Sequence, residues 1–390
     1  MIRITDNNIN TLIYLDHNAT TPVAPEVRAA MMPYLQEEFG NPSSSYWLGK
    51  KSKEGVEHAR KEVASLLGCK NHEVIFTSGG SESNNMVLKG LIDFKNPENF
   101  HIITSAVEHP AILNPTLFLM KIGVKITILP VDNFGRVSIK DVQKAILPNT
   151  ILISIMLANN ETGTLQPINE ISKTAREYGI PVHTDAAQAI GKIKVDVKEL
   201  GVNFLTVAGH KLYAPKGIGA LFIREGQQII PLIHGAGQES GRRAGTENVI
   251  LAAGLGAACR IAGEGLQKNH KKMEMLRDRL QKLLFEGLDG LVLNGHPEER
   301  LPNTLNVAIP GLDGGKILEG LPEVMASKGA ACHDQTVKLS HVLAAMAVSS
   351  ETGMGTLRLT VGRDNTMDQM DEAARLIIKQ VNRMRDQTSE

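Results

Sequence analysis

Short runs of β-branched and apolar residues alternate with longer amphipathic stretches through the middle of this chain. Val74-Ile-Phe-Thr77, His101-Ile-Ile-Thr104, Lys125-Ile-Thr-Ile-Leu129, Ile151-Leu-Ile-Ser-Ile155, Pro181-Val-His-Thr184 and Asn203-Phe-Leu-Thr-Val207 have the length and composition of buried strands. Most of them end in polar or glycine residues, and helical patterns such as Glu170 to Tyr178 lie between many of them. That alternation predicts an α/β fold with a mostly parallel central sheet. Beyond about residue 260 the pattern changes. A charged amphipathic helix reads from Asn269 to Glu286, followed by the strand-like runs 304–309 and 356–361 and a closing helix from Met367 to Met384. We therefore expect a large domain over 16–262, with 1–15 and 263–390 forming a smaller α+β domain.

Bulk composition excludes several classes of function. Hydrophobic residues make up 42% and charged residues 22%, as in ordinary globular proteins. Lys+Arg and Asp+Glu both number 42 with no long basic run, so neither nucleic acid nor an anionic membrane is expected as a partner. The polar start, Met1 to Asn10, lacks the apolar core of a signal peptide, and no uninterrupted apolar run reaches the roughly 18 residues of a membrane span. Cys69, Cys259 and Cys332 are odd in number and far apart, which predicts reduced thiols and a cytoplasmic setting.

In open α/β sheets, ligands collect at the carboxyl ends of strands. Asp185, in Val182-His-Thr-Asp-Ala-Ala-Gln188, and Lys211, in Gly209-His-Lys-Leu-Tyr213, both follow predicted strands. A single lysine is usually a solvated surface residue. As a pair, these two have the chemistry that holds pyridoxal phosphate: a lysine for the Schiff base and an acid that keeps the pyridine nitrogen protonated. Burial behind an apolar strand would lower the pKa of Lys211 and free its amine. Gly79 and Gly80, in Phe76-Thr-Ser-Gly-Gly-Ser-Glu-Ser-Asn84, let backbone approach an anion at a helix N-terminus, where Ser81 adds a hydroxyl. Taken alone, that turn is also an ordinary loop.

His109 follows another strand. By itself it reads as a structural histidine; within this set it can stack on the pyridine ring and handle protons. Asn160, in a strand-terminal Asn159-Asn-Glu161 turn, and Gln188 both offer amides to the ring's phenolic oxygen. Cys69 and Cys259 sit in apolar surroundings and read as inert. Cys332, in Gly329-Ala-Ala-Cys-His333, has small and polar neighbours and reads as part of a loop. Arg358 alternates with apolar neighbours in Gly355-Thr-Leu-Arg-Leu-Thr-Val361, which turns it to one strand face and suits a bidentate grip on a carboxylate.

With these residues together, the chain resembles the pyridoxal-phosphate enzymes of the cysteine desulfurase and selenocysteine lyase family, within the class V aminotransferase-like group. The likeness runs from Tyr14-Leu-Asp-His-Asn-Ala-Thr-Thr-Pro22 to Val361-Gly-Arg363 and includes Glu108-His109 and Gly245-Thr-Glu-Asn248. It implies fold type I, the aspartate aminotransferase-like arrangement. Lys211 would carry the Schiff base and move protons, with Asp185 on the pyridine nitrogen, Gln188 on the phenolic oxygen and His109 stacked on the ring. Gly80, Ser81 and His210 would bind phosphate. Thr246 would reach the phosphate site of a second copy, which implies a homodimer.

Asn160 and Arg358 would orient the substrate, L-cysteine or L-selenocysteine, and no metal is implied. Cys332 would take sulfur as a persulfide and leave L-alanine, or discriminate selenium from sulfur, before transfer to an acceptor protein. The 26 positions from Cys332 to Arg358 match the long-loop branch of the desulfurases. Ala208 stands two before the His-Lys pair, where related desulfurases often carry a hydroxyl. With His333 after the cysteine, it tilts the resemblance toward the selenocysteine lyases. A class V aminotransferase is the enzymatic alternative and would have no use for Cys332. A non-catalytic sulfur-trafficking scaffold would need none of Asp185, Lys211, Cys332 and Arg358 together.

Overall fold

The computed structural model describes residues 12–328, 330–333 and 336–388, with 330–333, 336–338 and 388 described by backbone alone. Its centre is a seven-stranded sheet in the spatial order Val74–Thr77, Gly219–Ile223, Phe204–Ala208, Val182–Asp185, Thr150–Ser154, His101–Ser105, Lys125–Leu129. Neighbours run parallel except at Gly219–Ile223, which is antiparallel to both strands beside it. Every residue of Val182–Asp185, Phe204–Ala208 and Gly219–Ile223 is buried, so the last two are mostly apolar instead of alternating, while Val182–Asp185 buries the polar His183, Thr184 and Asp185. Only the edge strand Lys125–Leu129 exposes side chains, Lys125 and Ile128.

The observed strands match the predicted ones to within a residue or two. The strand Gly219–Ile223 begins only after the residues that lead out of the Gly209–Lys211 turn carrying the lysine.

One prediction misjudged an element's extent. The helix expected from Asn269 begins at Val249 and runs unbroken to Gly287, 39 residues, capped where the Asn248 side chain accepts from the Leu251 N–H at 3.1 Å. Its first half is Ala- and Gly-rich and has no polar face to reveal it. By length and composition it could cross a membrane, yet Ala252, Leu255, Ala258 and Cys259 are packed in the large core. A Cβ placed on Gly256 would lie 2.6 Å from the Cα of Ala59 in the Trp47–Leu67 helix, so the absent side chain allows the two helices to approach.

The second half of the same helix serves a different core. Met273, Leu276, Leu280 and Leu284 pack with Leu305, Val307, Leu357, Leu359, Met370 and Ile377. The expected boundary at 262/263 therefore falls inside a continuous helix. A second, antiparallel sheet orders Ser327–Lys328, Thr356–Thr360, Thr304–Ala308 and Val292–Leu293. Ile13–Tyr14 pairs with Val324–Met325, and Ile13 and Leu15 join this core.

The segment read as a loop around Cys332 is instead a short hairpin. Ala330–His333 pairs antiparallel with Thr336–Leu339, with Cys332 opposite Val337. The alternating Thr336-Val-Lys-Leu339 supplies a partner strand that the Gly-Ala-Ala-Cys run does not announce by itself.

Candidate active site

Five strands of the central sheet deliver residues to one cavity of about 350 Å³ just beyond their carboxyl ends. Gly80 and Ser81 follow Val74–Thr77, and His109 follows His101–Ser105. Asn160 lies past Thr150–Ser154, and Asp185 and Gln188 come at and after Val182–Asp185. His210 and Lys211 follow Phe204–Ala208. Arg358 enters from the second sheet, and Asn18 and Ala19 from the N-terminal segment. The structure thus gathers every predicted site residue except Thr246 and Cys332. Thr246 lines a separate cleft with Ser78 and Arg243, and Arg243 donates to Glu82 at the start of the Gly80–Gly90 helix, Nε to Oε1 at 2.9 Å. The side chain of Cys332 lies outside the described residues; its hairpin forms a two-stranded sheet of its own and follows Ser327–Lys328 of the second sheet in the chain.

Lys211 is half-buried and donates to the carbonyl oxygens of Asn18 and Ala19, each at 2.6 Å. Burial, with the Arg358 cation as the next contributor, pushes its pKa down to about 8, against the opposing pull of Asp16 and Asp185. Asp185 is buried at the cavity wall. Asn84 Nδ2 donates to its Oδ2 at 2.7 Å and the Ala187 N–H to its Oδ1 at 3.0 Å, which fixes the carboxylate plane. Asn84 belongs to the Gly80–Gly90 helix, whose N-terminus begins after Gly79 at φ 148°. That backbone conformation favours glycine, and it starts a helix whose first residues, Gly80 and Ser81, have N–H groups with no carbonyl of a preceding turn to bond.

His109 caps the Pro110–Lys121 helix, its Nδ1 accepting from the Ala111 N–H at 3.1 Å. The ring therefore carries its proton on Nε2 and opens onto the cavity. His210 approaches Thr20, Nδ1 to Oγ1 at 3.2 Å, and burial lowers its pKa to about 4, so it is neutral near pH 7. Ala208 lines the cavity with a methyl group.

Arg358 is not the free grip that alternation suggested. Its Nη2 donates to Asp16 Oδ1 at 2.8 Å and Ser327 Oγ at 2.9 Å, and Nη1 to the Asn160 carbonyl at 3.2 Å. Among the described residues, its Nε is buried without a partner. Ser327 in turn donates to Asp16 Oδ1 at 2.9 Å. At the other root of the hairpin, Ser340 Oγ donates to Glu161 Oε2 at 2.5 Å, and the His341 ring meets the Glu108 carbonyl at 2.9 Å. One end of the cysteine-bearing segment is thus tied to Arg358 in the cavity wall, and the other to Glu161 and Glu108, the chain neighbours of the lining residues Asn160 and His109. Sequence reasoning missed Asp16, Asn18, Asn84, Lys192 and Ser327. Asp16 and Asn18 stand in the Asp-His-Asn-Ala-Thr-Thr run, where a cluster of small polar residues after an apolar pair was a usable signal.

The residues fit pyridoxal phosphate. A buried acid and a depressed amine face one cavity, an amide and an imidazole stand between them, and a helix N-terminus for an anion lies at one end. A fold of this kind with that site is that of a pyridoxal-phosphate enzyme, and the aminotransferase class-V family model matches residues 13–372. The chain belongs to that family, whose members depend on pyridoxal 5′-phosphate. Within it, the chain is 45% identical over 375 residues to the cysteine desulfurase IscS of Dictyoglomus turgidum, covering 96% of this chain and 95% of that one. It is 45% identical over 378 residues to the cysteine desulfurase IscS of Methanosarcina thermophila, covering 96% and 93%. Similar solved structures include a NifS-like protein, with TM-score 0.89, 35% identity and coverage of 95% and 99%. SspA in complex with cysteine gives TM-score 0.80, 37% identity and coverage of 90% and 99%.

Proposed function

We propose that this protein removes sulfur from L-cysteine, releases L-alanine and carries the sulfur on Cys332. One observation carries the reading: Lys211, Asp185 and Gln188 share a cavity with Arg358, and the segment bearing Cys332 is tied at one end to Arg358 itself and at the other to Glu161, next to the lining residue Asn160. Lys211 would hold pyridoxal phosphate, Asp185 its pyridine nitrogen, Gln188 its phenolic oxygen and His109 its ring face. Gly80, Ser81 and His210 would hold its phosphate. When bound, that cofactor supplies an electron-withdrawing ring that makes the substrate's Cα–H acidic.

The chain's own groups do the rest. Arg358 and Asn160 take the substrate carboxylate, with the unpartnered Nε of Arg358 offering a donor. Lys211, as a neutral amine, takes the proton from Cα. Cys332 as thiolate attacks the substrate sulfur. The S–S bond forms as Cβ–S breaks, and Cβ receives a proton in place of sulfur. Thr246, apart from its own cavity, would complete the phosphate site of a second copy in a homodimer, and an acceptor protein would take the sulfur onward.

The methyl group of Ala208 in the cavity favours testing L-selenocysteine beside L-cysteine. Alanine release is measured from both, with no keto acid added, in wild type and Cys332→Ala. We expect wild type to turn over cysteine and the variant to lose at least about a hundredfold of that rate. Undiminished desulfuration in the variant would remove Cys332 from the chemistry. Turnover of selenocysteine alone would make the enzyme a selenocysteine lyase, and a strict need for keto acid would favour an aminotransferase.

A further inference from the structure

Beneath the cavity lies a second lysine that the chemistry above does not use. Lys192 is 5% exposed, on the turn that continues from Asp185 through Gln188. Its Nζ donates to Gln188 Oε1 and to Asn18 Oδ1, each at 2.9 Å, and both acceptors are neutral amide oxygens. We propose that Lys192 is a positioning residue: it locks the Gln188 amide so that an N–H, and not the carbonyl, faces the phenolic oxygen of the bound cofactor. This inference rests on the functional reading above and adds to it the group that orients one of its contacts.

The argument is one of donor and acceptor inventory. A primary amide can turn over and exchange its oxygen for its nitrogen at almost no steric cost, so its orientation has to be imposed by partners. A lysine is a suitable partner because its ammonium is donor-only. With Lys192 beneath it, Gln188 must turn Oε1 down, which sends Nε2 up; there it also donates to the Asn18 carbonyl at 2.9 Å.

Asn18 is held by the same logic. Its Oδ1 accepts from Lys192 and from Asn303 Nδ2 at 3.0 Å, which leaves its own Nδ2 to donate to Thr304 Oγ1 at 2.9 Å and the Asn160 carbonyl at 3.2 Å. The Asn18 carbonyl is also an acceptor for Lys211. A single buried cation thereby sets the direction of two amides that border the reactive lysine.

A buried lysine without a carboxylate partner is costly, and burial lowers its pKa well below the usual lysine range, with Lys211 and Arg358 adding to the effect. Among the described residues those two are the charged groups that face it from other elements; on its remaining side lies His17, whose pKa is lowered to about 4 by burial first and by Lys192 next. A leucine or methionine would pack here without that penalty, so a lysine at this point calls for a role. Even as a neutral amine it keeps two N–H donors, enough for both amides.

The consequence is electronic. An N–H on the phenolic oxygen withdraws charge from it, and that oxygen is the group that holds a proton on the adjacent Schiff-base nitrogen of Lys211. Loss of the donor should leave the oxygen more basic and the nitrogen harder to deprotonate.

The test titrates the Schiff-base absorbance of the pyridoxal-phosphate-loaded protein against pH in wild type, Lys192→Met, Gln188→Leu and the double variant, with cofactor stoichiometry and circular dichroism recorded for each. We expect Lys192→Met to raise the apparent pKa by about one unit, a tenfold change in proton affinity, with cofactor still bound at one per chain. Gln188→Leu should give a similar rise, and the double variant little more than either. If Lys192→Met does not fold, Lys192→Gln, which keeps one amide donor on a shorter chain, should give a smaller rise in the same titration. An unshifted titration in a loaded Lys192 variant overturns the inference. Additive shifts in the double variant overturn it too, because Lys192 would then act as a bare charge and not through Gln188. Wild-type protein that forms no Schiff-base band with added pyridoxal phosphate would overturn the functional reading itself, and this inference with it.

Discussion

Lys211 shows how a single residue's chemistry is set by its burial. An exposed lysine reacts slowly with a carbonyl at neutral pH because nearly all of it is protonated. Here burial and the Arg358 cation bring the pKa to about 8, while two backbone carbonyls hold the amine in place. We predict that the rate at which pyridoxal phosphate loads the cofactor-free protein rises with pH and is half-maximal near pH 8. A midpoint near the ordinary lysine value of 10.5 in stopped-flow absorbance would refute this. Lys211→Ala should show no such loading band at any pH. Asp185, Lys211, His109 and Gln188 were legible because each stands just after an apolar run, where the sheet forces side chains into the crevice. Asp16, Asn18, Asn84 and Lys192 were not. A lone amide or lysine acquires a role only from partners distant in the chain, such as Thr304 and Asn303 for Asn18.

Among the elements, apolar strands were easy to read and closely packed helices were not. Most strands of the large sheet bury every residue and so announce themselves by composition. The first half of the Val249–Gly287 helix buries small residues on more than one face, so it lacks the polar stripe on which helical periodicity depends. Gly256 gives the reason for those small residues, since its missing side chain is where Ala59 of the facing helix sits. Gly256→Val should force the pair apart and destabilise the protein by about 1–3 kcal/mol, read as a lower midpoint in thermal or urea unfolding. An unchanged midpoint would show that the contact relaxes freely. The hairpin around Cys332 was hidden for another reason. Its first strand is too small and polar to read as one, and the pairing depends on Thr336–Leu339 further along the chain.

At the scale of the molecule, the site is read here from one chain, and Thr246 points beyond it. Thr246 shares a cleft with Ser78 and Arg243 and is absent from the lining of its own cavity. If it serves a second copy, activity can be rebuilt from two inactive chains. Lys211→Ala and a Thr246→Asp variant should each be impaired alone. Mixed and reassembled, they should recover up to about one working site per mixed dimer, measured as alanine release. No recovery from mixed dimers verified by mass would place Thr246 outside the shared site. The long helix has a different consequence. It contains no proline, and at about 1.5 Å per residue it is a shaft of roughly 58 Å with one core at each end. Lys211 is anchored to the sheet at one end and Arg358 to the sheet at the other. The helix thus resembles the beam of a caliper: it runs behind both jaws, so a change in its length or straightness would reset the gap between amine and guanidinium that an amino acid has to fit.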